Sequence, residues 1–280
     1  MKLDENLRYR KAFTISTIVL GLIAAGVIYR LSDRISTMTD IKPAVDLKVA
    51  QKNCQNLPPL LQGVRTIVCV GDSTTLGQRQ NNYVEIFKSY LAAIFPENPI
   101  NIVNAGVNGD SSSGVLARFE DDVLSANPQL IILMVGIGDA AASLKGFVDS
   151  GQKDTSGIEK CARNVEKMIK LSKARGVKIL VVSPAVVLEG RFKPIDEHVE
   201  SYVIALAQVA KTNDVPFVNV RERFNELIKP YRSRTGAQDF LLTHDGLHFN
   251  VAGMKVVANS ILDAIGVTSE SRAKVQLSVI

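Results

Sequence analysis

The stretch that decides the fold is Thr66-Ile-Val-Cys-Val-Gly-Asp-Ser-Thr-Thr75. Its first five residues are apolar or β-branched, which is typical of a buried strand. The strand pattern stops at Gly71, and the small polar residues behind it predict a turn. Because ligands bind beyond the carboxyl ends of the strands in open α/β sheets, the stretch predicts that Ser73 is presented at a binding edge.

Strand patterns and helix patterns alternate through the rest of the body. Four more apolar strands are predicted, at residues 100–104, 130–135, 177–182 and 215–218. Helices are predicted at residues 82–94, 158–174, 200–210, 221–228 and 251–265, with another beginning at Ser112. Pro216 lacks an N–H group and places the last strand at a sheet edge, and residues 230–247 are expected to form a loop. Continuous apolar strands between helices predict an α/β fold with a five-stranded parallel sheet covered on both faces.

An uncharged segment near the N-terminus, AFTISTIVLGLIAAGVIY, covers residues 12–29 and is just long enough to cross a membrane. Basic residues are more frequent before it than directly after it, which favours an N-terminus inside the cytoplasm and a body outside, on the periplasmic or extracellular side. The predicted organisation is a cytoplasmic tail (1–11), a transmembrane anchor (12–30), a linker (31–62), a globular body (63–266) and a C-terminal tail (267–280). Two alternatives stay open: a signal peptide cleaved near Ala24-Ala25-Gly26, giving a secreted protein, and a buried helix.

The composition excludes some functions. The net charge is +5 without a long basic block, Trp is absent and aromatic residues make up 6% of the chain, which is poor material for a nucleic-acid surface. We therefore expect no nucleic-acid partner. The sequence contains no CxxC pair, so a zinc site of that type is not supported. Cys69 is expected to be buried in its strand, and a disulfide between Cys54 and Cys161 is left open, because it depends on an oxidising compartment.

Polar, chemistry-bearing residues follow the second and third predicted strands and precede the last helix. The three segments are Asn104-Ala-Gly-Val-Asn-Gly-Asp-Ser111, Gly136-Ile-Gly-Asp139 and Thr243-His-Asp-Gly-Leu-His-Phe-Asn250. Glycines beside a helix start let backbone N–H groups approach an anion closely. Asp245 and His248 lie three residues apart on a loop, so that the carboxylate can orient the imidazole. His244 and His248 also suggest a metal pair, but Gly246 breaks a helix and the HExxH glutamate is missing, so we expect no metal or cofactor.

Together with Gly71-Asp72-Ser73, these blocks resemble the SGNH (GDSL-type) hydrolase family, whose members cleave esters with a Ser-His-Asp triad. The resemblance covers residues 65–265 in the family's order. It implies a flavodoxin-like three-layer sandwich. It also implies that Ser73 is the nucleophile, that His248 is the general base and then the acid, and that Asp245 orients His248.

The same resemblance implies an oxyanion hole built from the backbone N–H groups of Ser73 and Gly109. The family usually supplies a third donor from an Asn in its third block, where this chain has Gly138. The candidates for the third oxyanion donor in this chain are the Asn108 side chain and the Gly138 N–H group. Asp72 and Asp139 are expected to hold their loops.

The sequence therefore predicts a membrane-anchored serine ester hydrolase, an esterase or deacetylase, that acts through an acyl-serine intermediate. Its expected substrates are small-molecule esters or acylated envelope glycans or lipids. Two alternatives stay open at this stage. An acyltransferase would use the same triad with another acceptor, and a non-catalytic binding protein of the same fold is suggested by Gly138.

Overall fold

A computed structural model describes residues 56–77, 81–150 and 155–275. The predicted cytoplasmic tail, the predicted anchor at residues 12–30 and most of the predicted linker lie outside these residues. Among the helices that the structure describes, none combines the length and the apolar character needed to cross a membrane. At the end of the predicted linker, Pro59–Leu61 form one 3₁₀ turn, and the Leu61 side chain is buried in the core.

The sheet has five parallel strands in the order β2-β1-β3-β4-β5, which is the flavodoxin-like order. The strands are β1 (Thr66–Gly71), β2 (Asn101–Gly106), β3 (Leu130–Met134), β4 (Lys178–Val182) and β5 (Phe217–Val218). The prediction of an α/β fold with a five-stranded parallel sheet is confirmed. β5 lies at an edge, as Pro216 indicates, and it begins directly after that proline.

The helices that the structure describes surround this sheet. They are α1 (Ser73–Leu76), α2 (Tyr83–Ile94), α3 (Ser112–Ala117), α4 (Ile137–Ser150), α5 (Thr155–Ala174), α6 (Lys193–Thr212), α7 (Val220–Thr235), α8 (Val251–Ala264) and α9 (Ser269–Ala273). Several begin behind a side chain that accepts a hydrogen bond from the first turn, namely Asn82, Ser111, Asn219 and Asn250. These caps explain why the helices start where they do.

Some of the predicted helix bounds were wrong. The prediction contains no α4, because Gly138 and Gly146 lower the helix propensity of that segment. α6 begins at Lys193, with Pro194 in its first turn, where a missing N–H group costs nothing. α7 continues through Pro230 to Thr235, so the first third of the predicted loop at residues 230–247 is helical. A proline removes one hydrogen bond from the helix, and the same helix buries Val220, Phe224 and Ile228 in the core.

The core lies on both faces of the sheet, which gives three layers. On one face, α2, α7 and α8 pack against alternate strand residues, including Ile67, Ile132 and Leu180. Helices α3 to α6 cover the other face. Cys69 and Cys161 are buried free thiols whose pKa burial raises, and Cys54 lies outside the described residues.

The sheet register sets the position of the candidate site. Gly71, the last residue of β1, pairs with Gly106 at the end of β2 and with Met134 at the end of β3. All three strands are parallel, so the segments that follow them emerge side by side at one edge. This edge therefore collects three of the four sequence blocks.

Candidate active site

Ser73 is the first residue of α1, directly behind the end of β1. The structure forms a short helix at the small polar residues for which the sequence predicted a turn. Asp72 caps the helix: its Oδ1 accepts hydrogen bonds from the Thr74 N–H group (2.8 Å) and from the Thr74 hydroxyl (2.7 Å). The Asn104 amide closes the other end by donating to the Thr75 carbonyl at 2.9 Å. Ser73 is thus held from both sides and remains half-buried.

A loop at residues 243–249, here called the triad loop, carries the predicted acid and base. Its ends are joined by a β-bridge between Thr243 and Phe249, and the His244 N–H group donates to the His248 carbonyl at 2.9 Å. Inside the loop, Asp245 Oδ1 accepts from the N–H groups of Leu247 (2.9 Å) and His248 (2.8 Å). The aspartate therefore folds back over its own turn, with its second oxygen turned to the imidazole.

The structure brings Ser73, His248 and Asp245 into one hydrogen-bonded chain across 175 positions of sequence. His248 Nδ1 lies 2.7 Å from Asp245 Oδ2, and His248 Nε2 lies 3.1 Å from Ser73 Oγ. Because a carboxylate only accepts hydrogen bonds, the neutral imidazole carries its hydrogen on Nδ1. Nε2 is then the acceptor for the Ser73 hydroxyl, which is the arrangement that nucleophilic catalysis by serine requires.

Two aspartates of the site have shifted pKa values of opposite sign. Partial burial acts to raise the pKa of Asp245, but hydrogen bonds from the His248 side chain and backbone outweigh it and lower the pKa to about 2. For Asp72, burial raises the pKa, and the hydrogen bonds from Thr74 oppose it without cancelling it. Asp245 is therefore charged at neutral pH and stabilises a positive charge on His248.

Asp139 joins the segments that follow β2 and β3. Its carboxylate accepts from the Ser112 N–H group (2.8 Å) and from the Ser112 hydroxyl (2.6 Å). The Asn164 amide of α5 in turn donates to the hydroxyls of Ser112 and Ser113, both at 3.0 Å. These contacts fit the expectation that Asp139 holds its loop, and they fix the start of α3 against the start of α4.

Arg118, which the sequence did not single out, ties three parts of the site together. Its Nε donates to Asp110 Oδ2 at 2.9 Å, and its Nη2 donates to the carbonyls of Ala105 (2.9 Å) and Gly71 (3.3 Å). The guanidinium therefore joins the ends of β1 and β2 to the loop between β2 and α3. Its position at the end of a short helix gives no signal of this role in the sequence.

The predicted oxyanion donors lie on the segments that follow β1 and β2. The Ser73 N–H group is the first of α1, and such a group has no acceptor within its own helix. Gly109 is exposed, in a turn closed by a hydrogen bond from the Asp110 N–H group to the Val107 carbonyl at 3.2 Å. Asn108 Oδ1 is buried without a hydrogen-bond partner among the described residues.

Gly138 has no room for a side chain. A Cβ atom at this position would lie 2.0 Å from the carbonyl oxygen of Asp110 and 3.2 Å from Ser111 Cα. The space where the resemblance suggested an amide donor is filled by the backbone of the neighbouring loop. Within the described residues, no cluster of three or more His, Cys, Asp or Glu side chains could hold a metal ion.

Two curated proteins are similar to this chain in sequence. The acetylxylan esterase of Geobacillus stearothermophilus is 23% identical over 212 residues, which cover 71% of this chain and 93% of that protein. The uncharacterized lipoprotein YqeF of Bacillus subtilis (strain 168) is 24% identical over 229 residues, which cover 72% of this chain and 90% of that protein.

Solved structures show the same fold. The crystal structure of the Geobacillus acetylxylan esterase Axe2 has a TM-score of 0.60 at 24% identity, covering 72% of this chain and 94% of that one. LAE5, an α/β hydrolase from the metagenome of Lake Arreo, has a TM-score of 0.58 at 24% identity, covering 72% of this chain and 95% of that one.

The model of the GDSL-like lipase/acylhydrolase family matches residues 69–256, a span that runs from β1 into α8 and includes all four sequence blocks. Since this match covers more than half of the chain, the protein belongs to the GDSL-like lipase/acylhydrolase family and is a carboxylic-ester hydrolase of the SGNH type.

Proposed function

We propose that this protein is a serine esterase that removes acetyl groups from carbohydrate esters through an acyl-serine intermediate on Ser73. The observation that carries the proposal is the hydrogen-bonded chain from Ser73 Oγ to His248 Nε2 (3.1 Å) and from His248 Nδ1 to Asp245 Oδ2 (2.7 Å). A serine hydroxyl is a weak nucleophile until a positioned base accepts its proton.

In the proposed reaction, Ser73 Oγ attacks the ester carbonyl carbon while His248 Nε2 takes the hydroxyl proton. The carbonyl oxygen becomes an oxyanion and accepts hydrogen bonds from the backbone N–H groups of Ser73 and Gly109. The tetrahedral intermediate then expels the alcohol, to which His248 returns the proton, and leaves an acyl group on Ser73. Water, deprotonated by His248, attacks this acyl-serine and releases the carboxylic acid, and Ser73 recovers its proton.

Asp245 supports both proton transfers without becoming protonated. Its lowered pKa, about 2, keeps it charged while His248 is positive. Its hydrogen bond to Nδ1 also fixes the tautomer, so Nε2 always faces Ser73.

One matched relative supports the substrate class, and its catalytic mutants support the triad. The matched Geobacillus protein is an acetylxylan esterase. Structures of its catalytic mutants replace a serine, an aspartate and a histidine, and the replaced aspartate and histidine are three residues apart, as Asp245 and His248 are here. We infer that an acetylated glycan is the substrate.

The packing of Gly138 weakens the alternative of a non-catalytic binding protein. The glycine is required by the backbone of Asp110, so it is not evidence that a catalytic side chain was lost.

An acyltransferase differs from an esterase only in the acceptor that attacks the acyl-serine.

Hydrolysis and labelling by the full-length protein in detergent test the proposal. We expect release of acetate from acetylated xylo-oligosaccharides and 4-nitrophenyl acetate, and modification of Ser73 by a fluorophosphonate, located by mass spectrometry. Both should disappear in Ser73→Ala and persist in Ser233→Ala, which changes an exposed serine of α7. Equal labelling of Ser73→Ala, or no labelling while a control hydrolase reacts, would overturn the assignment. Transfer of acetyl to an added sugar in preference to water would favour the acyltransferase.

We also propose that residues 12–30 attach the body to the outer side of the cytoplasmic membrane, since one matched relative is a lipoprotein and the segment is uncharged over residues 12–29. An alkaline phosphatase fused to the C-terminus should be active in cells and should sediment with membranes. Activity of a cytoplasm-only reporter instead would contradict this topology, and a mature N-terminus near Val27 would show cleavage.

A further inference from the structure

A strained turn lies next to the triad loop. Three consecutive residues have left-handed backbone angles, with φ of 49° at Leu188, 47° at Glu189 and 74° at Gly190. Residues with a Cβ atom rarely adopt these angles, because Cβ crowds the following carbonyl oxygen. Such a conformation persists only where the surroundings enforce it, and it is often found beside functional sites. We call residues 188–190 the left-handed turn.

The left-handed turn directs the Glu189 side chain into the protein, where its exposure is 0%. Glu189 Oε1 accepts from the N–H groups of Leu242 (2.7 Å) and Thr243 (3.0 Å) and from the Thr243 hydroxyl (3.0 Å). Glu189 Oε2 accepts from the Leu241 N–H group at 3.0 Å and from Arg232 Nη2 at 3.2 Å. Both carboxylate oxygens are therefore used.

The Glu189 carboxylate supplies the hydrogen-bond acceptors that a neighbouring strand would supply in a sheet. Residues 241–243 belong to none of the five strands, yet their three consecutive N–H groups need acceptors. A carboxylate offers about four acceptor positions on two oxygens and can serve all three groups together. Glu189 thus fixes the backbone that leads directly into the triad loop.

The left-handed turn also contacts the triad loop at its tip. The Leu188 N–H group donates to the Gly246 carbonyl at 2.6 Å. Gly246 lies so close to the turn that a Cβ atom there would be 3.0 Å from Leu188 Cα. The turn therefore holds the chain on both sides of Asp245, before it through Glu189 and after it through Leu188.

We infer that Glu189 is a positioning residue for the esterase reaction: it sets the triad loop so that Asp245 and His248 stand in line with Ser73. The inference rests on the proposed function. Glu189 does not touch the reacting atoms, and it acts through the backbone of Leu241, Leu242 and Thr243. The spacing between Ser73 Oγ and His248 Nε2 follows from that backbone.

Glu189→Gln tests the inference, because an amide of the same shape replaces one acceptor oxygen by a donor. We expect hydrogen exchange of the amides of residues 241–243 to accelerate at least tenfold. We expect kcat on 4-nitrophenyl acetate to fall about 10- to 100-fold, the effect of misplacing a reacting group by about 1 Å. KM should stay within about twofold, since His248 acts in the chemical step. The low-field proton resonance of His248 Nδ1–H should broaden or disappear.

Two further variants separate positioning from simple loss of stability. Met168→Ala removes a buried side chain of α5, outside the core cluster that contains Leu242 and Phe249. It should lower stability while kcat and the His248 resonance stay unchanged. Thr243→Val removes only the hydroxyl donated to Glu189 Oε1 and should fold even if Glu189→Gln does not, with kcat lowered about fivefold, the effect of one hydrogen bond.

A folded Glu189→Gln or Thr243→Val protein with wild-type kcat and an unchanged His248 resonance would overturn the inference. The inference would also be overturned if Glu189→Gln lost no more kcat than a Met168→Ala protein of the same stability. If the wild type neither hydrolyses esters nor reacts with fluorophosphonate, the proposed function fails. The exchange rates and the His248 resonance then decide the positioning role by themselves.

Discussion

The carbonyl oxygen of Asp110 occupies the space that a side chain at Gly138 would need, 2.0 Å from the position of its Cβ atom. The loop that carries Asp110 is anchored by Arg118, and the segment behind it is anchored by Asp139. The third sequence block (residues 136–139) thus packs against the second (residues 104–111). Any gain in oxyanion binding from a larger residue at Gly138 would require this loop to move.

We predict that Gly138→Asn lowers the free energy of unfolding by about 1–3 kcal/mol, the usual cost of overpacking, and does not accelerate acylation of Ser73. The resemblance to the family alone would suggest the opposite, since the family's Asn at this position donates to the oxyanion. Urea unfolding and single-turnover labelling measure the two effects. Ala141→Asn, at an exposed position of the same helix, is the control and should cost only about 0.7 kcal/mol of helix propensity. A Gly138→Asn protein of wild-type stability that reacts faster would contradict the packing argument.

We predict that Asp245→Asn lowers kcat on acetyl esters by about 10⁴-fold, as expected when the acid of such a triad becomes an amide. The amide can donate to His248 Nδ1 and thereby favour the tautomer that leaves Nε2 unable to accept the Ser73 proton. The rate of fluorophosphonate labelling should fall in parallel. Asp239→Asn changes an exposed carboxylate shortly before the triad loop and should leave both rates unchanged. Wild-type labelling of Asp245→Asn would remove Asp245 from the mechanism.

The strands and the triad were predictable for physical reasons. A buried parallel strand needs a continuous apolar run, and the runs around Val68 and Ile132 show it directly. Asp245 and His248 are close in sequence and carry their own turn, since Asp245 Oδ1 binds two N–H groups of the same loop. Once the strands are parallel, their carboxyl ends meet at one edge, and Ser73 must lie there.

The residues that support the triad were not predictable in this way. Glu189 binds backbone 52 to 54 positions away, and Arg118 binds a carbonyl 47 positions away. A charged residue in a helix end or a short turn is normally exposed, and nothing in the local pattern marks these two as partly or fully buried. Their role depends on tertiary contacts, as does the lack of space at Gly138.

We predict that Arg118→Met lowers the free energy of unfolding by about 3 kcal/mol, because it leaves the largely buried Asp110 carboxylate without its cation. The carbonyls of Gly71 and Ala105 also lose a donor. Adding Asp110→Asn should recover part of the loss, and the coupling in this double-mutant cycle measures the ion pair. Arg163→Met is the control, since its exposed pair with Glu159 is worth about 0.5 kcal/mol or less. Additive effects of the two substitutions at Arg118 and Asp110 would show that the pair is not coupled.

The last prediction concerns Asp72, whose charge is not needed for its capping role. The carboxylate is 3% exposed, and burial raises its pKa. A group whose pKa is higher in the folded state destabilises the fold when it is charged, so its unfavourable contribution is present at neutral pH and disappears as the pH falls through the folded pKa. An asparagine at this position keeps an oxygen that can accept from the Thr74 N–H group and hydroxyl, and Asn and Asp cap helices equally well.

Asp72→Asn should therefore be at least as stable as the wild type at pH 7, and any advantage should shrink as the pH is lowered toward the unfolded-state value. Asp245→Asn should instead be less stable than the wild type at pH 7, and this deficit should shrink as the pH is lowered. The folded pKa of Asp245 is lowered to about 2, so its carboxylate stabilises the fold above its ordinary pKa and that contribution is lost as the pH falls toward the folded value. Urea unfolding across this pH range measures both variants. Asp72→Ala, which removes the cap as well as the charge, should be about 1 kcal/mol less stable than Asp72→Asn at every pH. An Asp72→Asn protein as unstable at pH 7 as Asp72→Ala would show that the charge itself is required.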